Sequence, residues 1–193
     1  MKNIAILVSG SGTNMENISR YFEGSTLARI ALVISDNPAA YALTRAQAEG
    51  IETLVMTRPE TRRMGALNSA LQEHGIDFLA LAGYLSLIPA DVTWVFDHRI
   101  VNIHPALLPA YGGKGMYGMR VHEAVIAAGE KESGITIHYV NERYDEGNVI
   151  AQFRISVSEG ETPESLAEKI HALEYEHYPK VIERLLLELP EKA

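Results

Sequence analysis

Short apolar runs alternate with stretches of helical periodicity through the first half of the chain. Five runs have the length of strands, and they lie at 4–8, 29–35, 53–56, 77–83 and 99–104. Helical patterns separate them at 15–22, 39–50 and 62–75, and the last two close on glycine, a common helix stop. The run at 77–83 shows no polar alternation, as is typical of a strand covered on both faces. Strands that alternate with helices predict an α/β fold with a doubly wound, mostly parallel sheet.

The pattern changes in the last third of the chain. Two strand-like runs at 134–140 and 148–157 are joined by the short link NERYDEG, which favours an antiparallel pair over a parallel one. A long helical pattern follows, with Thr162 as a candidate N-cap and Pro163 at the first helical position. We therefore expect an antiparallel C-terminal strand pair, a long final helix and a single domain over 1–193.

Composition narrows the classes of partner. A chain of 193 residues, 47% hydrophobic and 22% charged, is ordinary for one globular domain. Its net charge of -8 argues against nucleic-acid and anionic-membrane partners, which need a basic face, but leaves room for a local basic pocket. The absence of cysteine excludes disulfides and thiolate chemistry. Because the N-terminus has no signal-peptide pattern and no apolar run is long enough to span a bilayer, we expect a cytoplasmic protein.

The loop SGSGTN at 9–14 separates the first strand from the first helix. Gly10 and Gly12 permit close backbone approach, and the helix start favours an anion such as phosphate. The loop lacks the lysine of a Walker loop and the third glycine of a dinucleotide fingerprint. The pattern predicts a phosphate site, and the alternative is a plain turn with an asparagine cap.

Asn102 and His104 stand two apart on the strand at 99–104, so both side chains point to the same side. Histidine exchanges protons near neutral pH, and an asparagine amide can donate to a developing oxyanion. The glycine-rich segment 112–118 that follows has the composition of a mobile flap or a surface loop. A histidine at a strand end can equally be a satisfied core residue, and the same holds for His122 and His138.

Asp145 lies in the link between the last two strands. If it approaches His104, its charge favours the imidazolium, and we therefore expect a raised pKa for His104. Its alternative role is that of a turn residue. A metal site at His171, Glu174 and His177 is disfavoured, because six residues subtend about 240° on a helix and the outer pair diverges. We expect no metal.

Four motifs carry a resemblance to a known family. SGSGTN, LAGYLSLIP, VNIHPALLPAYGG and HYVNERYDEGNVI stand in the order and spacing of the folate-dependent formyltransferases, over about residues 2–188. Within that family the opening loop is similar to the phosphate loop of the glycinamide ribonucleotide formyltransferases. Formyltetrahydrofolate deformylases normally add an N-terminal domain and methionyl-tRNA formyltransferases a C-terminal one. We expect this chain to have room for neither, and the resemblance implies a Rossmann-like formyltransferase fold.

The resemblance also implies roles for individual residues. In the part over about 1–100 it implies a phosphate site, and in the part over about 101–193 the catalytic and folate loops. Its catalytic set is Asn102, His104 and Asp145. The substrate-binding set is Gly12, Thr13, Asn14, His171 and Glu174, with Glu174 on ribose hydroxyls and His171 where glutamine is usual. The folate-binding set is Arg62 (or Arg63), Leu85, Ser86, Leu87, Ile88, Asn102, Asn141, Glu142, Arg143, Tyr144 and Asp145; Ser86 replaces an arginine found in some members, and Lys114 to Tyr117 in the longer flap have no implied role.

The implied activity is transfer of a formyl group from 10-formyltetrahydrofolate to the amine of glycinamide ribonucleotide in purine biosynthesis. The alternatives are a formyltetrahydrofolate deformylase, which would use the same site for hydrolysis, and a non-catalytic nucleotide-binding module. The partners expected are small-molecule substrates, with no nucleic acid and no membrane, for a monomer or a homodimer.

Overall fold

The computed structural model describes residues 1–190 and contains one seven-stranded sheet. The strands are β1 Lys2–Val8, β2 Ala28–Ser35, β3 Glu52–Val55, β4 Phe78–Leu81, β5 Ile100–His104, β6 Glu132–Tyr139 and β7 Val149–Ser156. The helices are α1 Thr13–Phe22, α2 Tyr41–Ala48, α3 Arg58–Thr61, α4 Ala66–Glu73, α5 Ala90–Val95, α6 Met119–Ala127 and α7 Pro163–Glu188.

The sheet has the predicted doubly wound topology. Its strand order is β3-β2-β1-β4-β5-β6-β7, with parallel pairing from β3 to β5 and antiparallel pairing of β5 with β6 and of β6 with β7. The chain leaves β1 in one direction toward β2 and β3, then returns to place β4 and β5 on the other side. A cleft forms beyond the carboxyl ends of the strands at such a reversal, and ligands of open α/β sheets bind there.

Both faces of the sheet are covered, which explains the unbroken apolar strands. Along β1, Ile4, Ile6 and Val8 pack into one buried cluster, while Ala5 and Leu7 pack into another on the opposite face. The first cluster includes residues of α1 and α7 and the second includes residues of α4 and α5. No helix within residues 1–190 is long and apolar enough to cross a membrane.

Helix α7 is fixed at its start and at its middle. Thr162 is the N-cap, as predicted: its side chain accepts from the Ser165 N–H at 3.2 Å, and Ser165 Oγ accepts from the Thr162 N–H at 3.1 Å. Near the centre, the buried Tyr178 hydroxyl lies 2.9 Å from the Leu81 carbonyl and 3.1 Å from the Val101 carbonyl. These contacts hold α7 against β4 and β5.

The helix predicted over 62–75 is shorter than expected, since α4 spans Ala66–Glu73. The short α3 precedes it at Arg58–Thr61, and residues 62–65 form the turn between the two helices. Gly65 adopts a positive φ of 80°, and its N–H donates to Asp91 at 2.9 Å. This tertiary contact favours the turn, so Arg62 and Arg63 lie between helices. Helices α5 and α6 were not predicted, because six and nine residues are too short for a clear period.

Candidate active site

A cavity of about 610 Å³ opens where the strand order reverses. Segment 10–14 after β1, segment 82–85 after β4 and the end of β5 line one side of it. The flap at 113–118, the start of α6, and Tyr144 and Asp145 of the β6–β7 loop line the rest. The three loops singled out in the sequence therefore meet at one cavity.

Asn102 and His104 project from β5 into this cavity and both approach Asp145. Asn102 Nδ2 lies 3.4 Å from Asp145 Oδ1, and His104 Nδ1 lies 3.5 Å from Asp145 Oδ2. Asp145 is held from the flap as well, because the Gly113 N–H donates to Oδ2 at 2.9 Å. His104 is 3% exposed. The predicted catalytic set is thus a compact, nearly dry cluster.

His138 completes the cluster and fixes the orientation of Asn102. The Nδ1–H of His138 donates to the Tyr139 carbonyl at 2.7 Å, so Nε2 of the neutral ring is an acceptor. Asn102 Nδ2 lies 3.0 Å from that Nε2 and close to the Asp145 carboxylate. Both Asn102 N–H groups therefore face acceptors, whereas its Oδ1 has no partner within residues 1–190. Asn102 presents its carbonyl oxygen to the cavity, not the amide donor that the sequence predicts.

The expectation of a raised pKa for His104 is wrong. Burial disfavours the imidazolium and lowers the pKa below its ordinary value, and the nearby Asp145 charge offsets this only in part. His104 Nε2–H donates to the Tyr111 carbonyl at 2.7 Å. In the neutral ring the lone pair is therefore on Nδ1, beside Asp145 and the cavity. The arrangement is that of a general base whose conjugate acid a carboxylate stabilises.

Asp145 is ionised at neutral pH. Burial raises the pKa of its carboxyl, but the nearby His138 and His104 rings and the Gly113 N–H together hold the pKa below its usual range. The residue has a φ of 57°, a left-handed conformation that aspartate and asparagine tolerate better than most side chains. This left-handed backbone conformation directs the Asp145 carboxylate toward β5.

The opening loop leaves the start of α1 uncapped. The N-cap is Gly12, with a φ of 78°, and no side chain within residues 1–190 caps the helix. The alternative of an asparagine cap is wrong, because Asn14 Nδ2 donates instead to Glu174 at 2.9 Å. The first-turn N–H groups have no acceptor inside the helix and line the cavity. This end of the cavity is suited to an anion.

The charges on the cavity wall favour an anion too. Within residues 1–190 the wall carries three cations, Arg58, Lys114 and Arg120, and two acids, Asp145 and Glu174. Asp145 keeps its negative charge, whereas burial raises the pKa of Glu174 to about 7. The cavity is thus locally positive in a chain of net charge -8.

Comparison with known proteins agrees with this geometry. A sequence profile described as formyl transferase matches residues 2–182. The chain belongs to the formyl transferase family.

Several relatives within the family are phosphoribosylglycinamide formyltransferases. The phosphoribosylglycinamide formyltransferase of Bacillus subtilis is 38% identical over 191 residues, which cover 96% of this chain and 95% of that protein. The chloroplastic one of Arabidopsis thaliana is 40% identical, but this chain spans only 64% of its length. The crystal structure of the Bacillus halodurans phosphoribosylglycinamide formyltransferase superposes with a TM-score of 0.86 at 38% identity, covering 96% of this chain and 95% of that one. The chain therefore has the formyl transferase fold, as predicted.

The residues predicted to face folate in this formyl transferase divide into two groups. Leu85, Asn102, Tyr144 and Asp145 line the cavity. The others are not on the cavity wall. Leu87 is exposed and Ile88 is buried in the core. The remaining side chains make local polar contacts: Ser86 with Asp36, Asn141 with the Arg143 N–H, Glu142 with Thr93, and Arg143 with Glu146. Arg62 and Arg63 are also absent from the wall, where Arg58 of α3 stands instead.

The residues considered as metal ligands do not converge. Glu174 faces α1 through Asn14, whereas the His177 ring stacks on Phe153 with 3.7 Å between centroids. His171 is on the cavity wall, and partial burial lowers its pKa. Within residues 1–190 no three His, Cys, Asp or Glu side chains form a group suited to a metal ion.

Sequence reasoning missed His138 and Arg58 and gave His122 no role. The β5–β6 register pairs Asn102 with His138 and His104 with Thr136. The alternation of Thr136 and His138 along β6 was a usable signal, since the two residues lie opposite His104 and Asn102. His122 is 2% exposed and lines the cavity, and its Nδ1 is buried without a hydrogen-bond partner. Such a buried polar atom costs about 1–3 kcal/mol of stability.

We predict that Glu174→Gln stabilises the protein at high pH. Burial raises the Glu174 pKa from 4.5 to about 7, so the carboxyl favours folding while it is protonated and opposes it once ionised. Glutamine cannot ionise. The free energy of unfolding should rise by about 3 kcal/mol at pH 8.5 and change little at pH 4.5, as measured by urea denaturation. Glu176→Gln, an exposed acid on the same helix, is the control. An equal change at both pH values would contradict the prediction.

Proposed function

We propose that this chain transfers a formyl group from 10-formyltetrahydrofolate to the amine of glycinamide ribonucleotide. The observation that carries the proposal is one cavity with an uncapped helix start at one end and the His104–Asp145–Asn102 cluster at the other. The first end suits a phosphate, and the second suits an acyl transfer that needs a proton acceptor. The names of the relatives support the same reaction.

The ribonucleotide end uses Gly12, Thr13 and Asn14 for the phosphate. The first-turn N–H groups donate to it, while the locally positive wall attracts it. Glu174 lies beside Asn14 and accepts from ribose hydroxyls, and His171 stands one turn earlier on α7. The amine of the substrate is then directed toward His104.

The other end of the cavity carries residues that suit the formyl donor, 10-formyltetrahydrofolate. The donor brings the formyl group on a nitrogen, together with a ring that forms amide-like hydrogen bonds and a carboxylate tail. Leu85 and Tyr144 line the cavity and are the predicted contacts to the ring. Arg58 suits the tail, because its Nε is 3.3 Å from Asp36 and its terminal nitrogens remain available. Ser86, Leu87, Ile88, Asn141, Glu142 and Arg143 stay predicted folate contacts.

The amine attacks the formyl carbon while its N–H donates to Asn102 Oδ1. His104 Nδ1 takes the proton that the amine releases, and Asp145 stabilises the resulting imidazolium. The charged ring offsets the negative charge on the formyl oxygen. His104 then donates this proton to the departing folate nitrogen. The amine thus loses one N–H and the folate gains one. His138 and Gly113 keep Asn102 and Asp145 in place.

A formyl-transfer assay with and without glycinamide ribonucleotide tests the proposal. Consumption of 10-formyltetrahydrofolate should require the ribonucleotide, yield its formylated product, and persist in the presence of a chelator. Formate release without the ribonucleotide would identify a deformylase. Ribonucleotide binding without any turnover would identify a non-catalytic module. A cytoplasmic location and a monomeric or dimeric state are further parts of the proposal.

We predict that Arg58→Ala raises the KM for 10-formyltetrahydrofolate about tenfold, the scale of one lost charge-assisted hydrogen bond. The KM for the ribonucleotide should not change. Arg62→Ala, off the cavity wall, is the matched control and should leave both values as they are. A larger effect from Arg62→Ala than from Arg58→Ala would mean that Arg62, as predicted from the sequence, is the arginine that contacts folate.

A further inference from the structure

His122 is a buried polar group that no protein contact explains. It lies on α6, is 2% exposed, and its Nδ1 is buried without a hydrogen-bond partner within residues 1–190. The other two histidines of the inner site differ in this respect, because His104 and His138 bond through their rings to Tyr111, Tyr139 and Asn102. A packing role would be filled as well by a leucine or a phenylalanine. The ring is therefore placed for a ligand.

The position of the ring selects the part of the ligand that it meets. His122 lines the cavity together with His171 and His104. His171 stands one turn from Glu174 on α7, and His104 belongs to the reacting end. His122 thus shares the cavity wall with the proposed ribose contact and the proposed base.

The chemistry of the ring narrows the ligand group. Burial lowers the pKa of His122 to about 4, so the ring is neutral, with one N–H donor and one acceptor nitrogen. A phosphate or carboxylate satisfies only the donor, and an ammonium only the acceptor. An amide, with its own N–H and C=O, complements both.

We propose that His122 binds the amide group that joins the ribose to the aminomethyl arm of the ribonucleotide. The proposal rests on the proposed function, because the amide is the part of that substrate between ribose and amine. It gives His122 a positioning role: the ring holds the arm so that the amine faces His104. It also makes the residue a determinant of specificity against ribose phosphates that lack the amide.

Binding of two ligands to the full chain tests the proposal. The probes are glycinamide ribonucleotide and ribose 5-phosphate, which shares the phosphate and hydroxyls but lacks the amide. In His122→Phe the Kd for the first should rise about tenfold, as for one lost buried hydrogen bond, and the Kd for the second should not change. The KM for 10-formyltetrahydrofolate should stay constant. The Tm should hold or rise, since the variant removes an unpaired polar atom. His177→Phe, which keeps the stack on Phe153, is the control for the ring exchange.

His122→Asn provides a second variant with a donor and an acceptor, and it should bind the ribonucleotide more tightly than His122→Phe. An unchanged ribonucleotide Kd in His122→Phe, or an equal loss for both ligands, would overturn the proposal. A lower Tm with intact ribonucleotide affinity would overturn it too, because that is the signature of a core residue. Failure of the proposed function is separate: the wild-type protein would then not bind or formylate the ribonucleotide at all.

Discussion

Asp145→Asn should lower kcat for formyl transfer by about 10²–10⁴-fold, the usual range for loss of acid–base support. One carboxylate oxygen faces Asn102 and His138, and the other faces Gly113 and His104. An asparagine amide must turn its NH₂ toward one of these sides, where a donor already points. It also lacks the charge that stabilises the His104 imidazolium. The backbone should not change, because asparagine tolerates the φ of 57°.

The direction in which the pH profile of kcat moves is a second test of this prediction. Burial already lowers the His104 pKa, and the Asp145 charge offsets part of that effect. In Asp145→Asn the pKa should therefore fall further. Because neutral His104 is the base, the acidic limb of the kcat profile should move to lower pH. Glu146→Gln, an exposed acid in the next position, is the control for the charge change. Normal turnover, or a limb that moves to higher pH, would contradict the mechanism.

Gly12→Val should raise the KM for the ribonucleotide at least tenfold and also lower the Tm. A Cβ at this position would lie 2.5 Å from Ala42 Cβ and 2.6 Å from Ala42 Cα, and the φ of 78° is strained for any branched side chain. Loop and helix start must then separate from α2. The N–H groups proposed to bind the phosphate move with them, whereas the proposed folate loops at 82–85 and 144–145 are on other elements.

Gly10→Ala is the matched control for the opening loop. A Cβ there meets nothing within 4 Å, and the residue has no positive φ. Its Tm should stay close to the wild-type value, as expected for an unstrained change of under about 0.5 kcal/mol, so the variant controls for strain in the loop. If Gly12→Val raises the KM of both substrates equally, the loop is a structural element and not the phosphate site.

The sequence was sufficient for the sheet and for the loops around the cavity. Apolar runs and helical periods are local signals, and they predicted strands β1 to β5 and the loop at 9–14 between the first strand and the first helix. The two-residue repeat of a strand correctly placed the Asn102 and His104 side chains on the same side of β5. The site loops then followed from where parallel strands end.

What could not be predicted depends on contacts distant in sequence. The orientation of Asn102 depends on His138, 36 residues away, through a register that no single strand encodes. The direction of the His104 pKa depends on how completely the fold buries the ring. Arg58 replaced Arg62 on the cavity wall because Gly65 and Asp91 hold a turn within the predicted helix. The flap and α6 carry no periodic pattern, so the position of His122 was not readable either.

The contacts of segment 111–113 with His104 and Asp145 set a boundary for protein engineering. The Tyr111 carbonyl accepts from His104 and the Gly113 N–H donates to Asp145, so the first residues of this loop orient the two proposed catalytic side chains. A graft that exchanges the loop for one of another length must therefore begin after Gly113. Beyond that point the segment up to Gly118 is available for diversification toward other acceptor amines, while the base and its carboxylate keep their alignment.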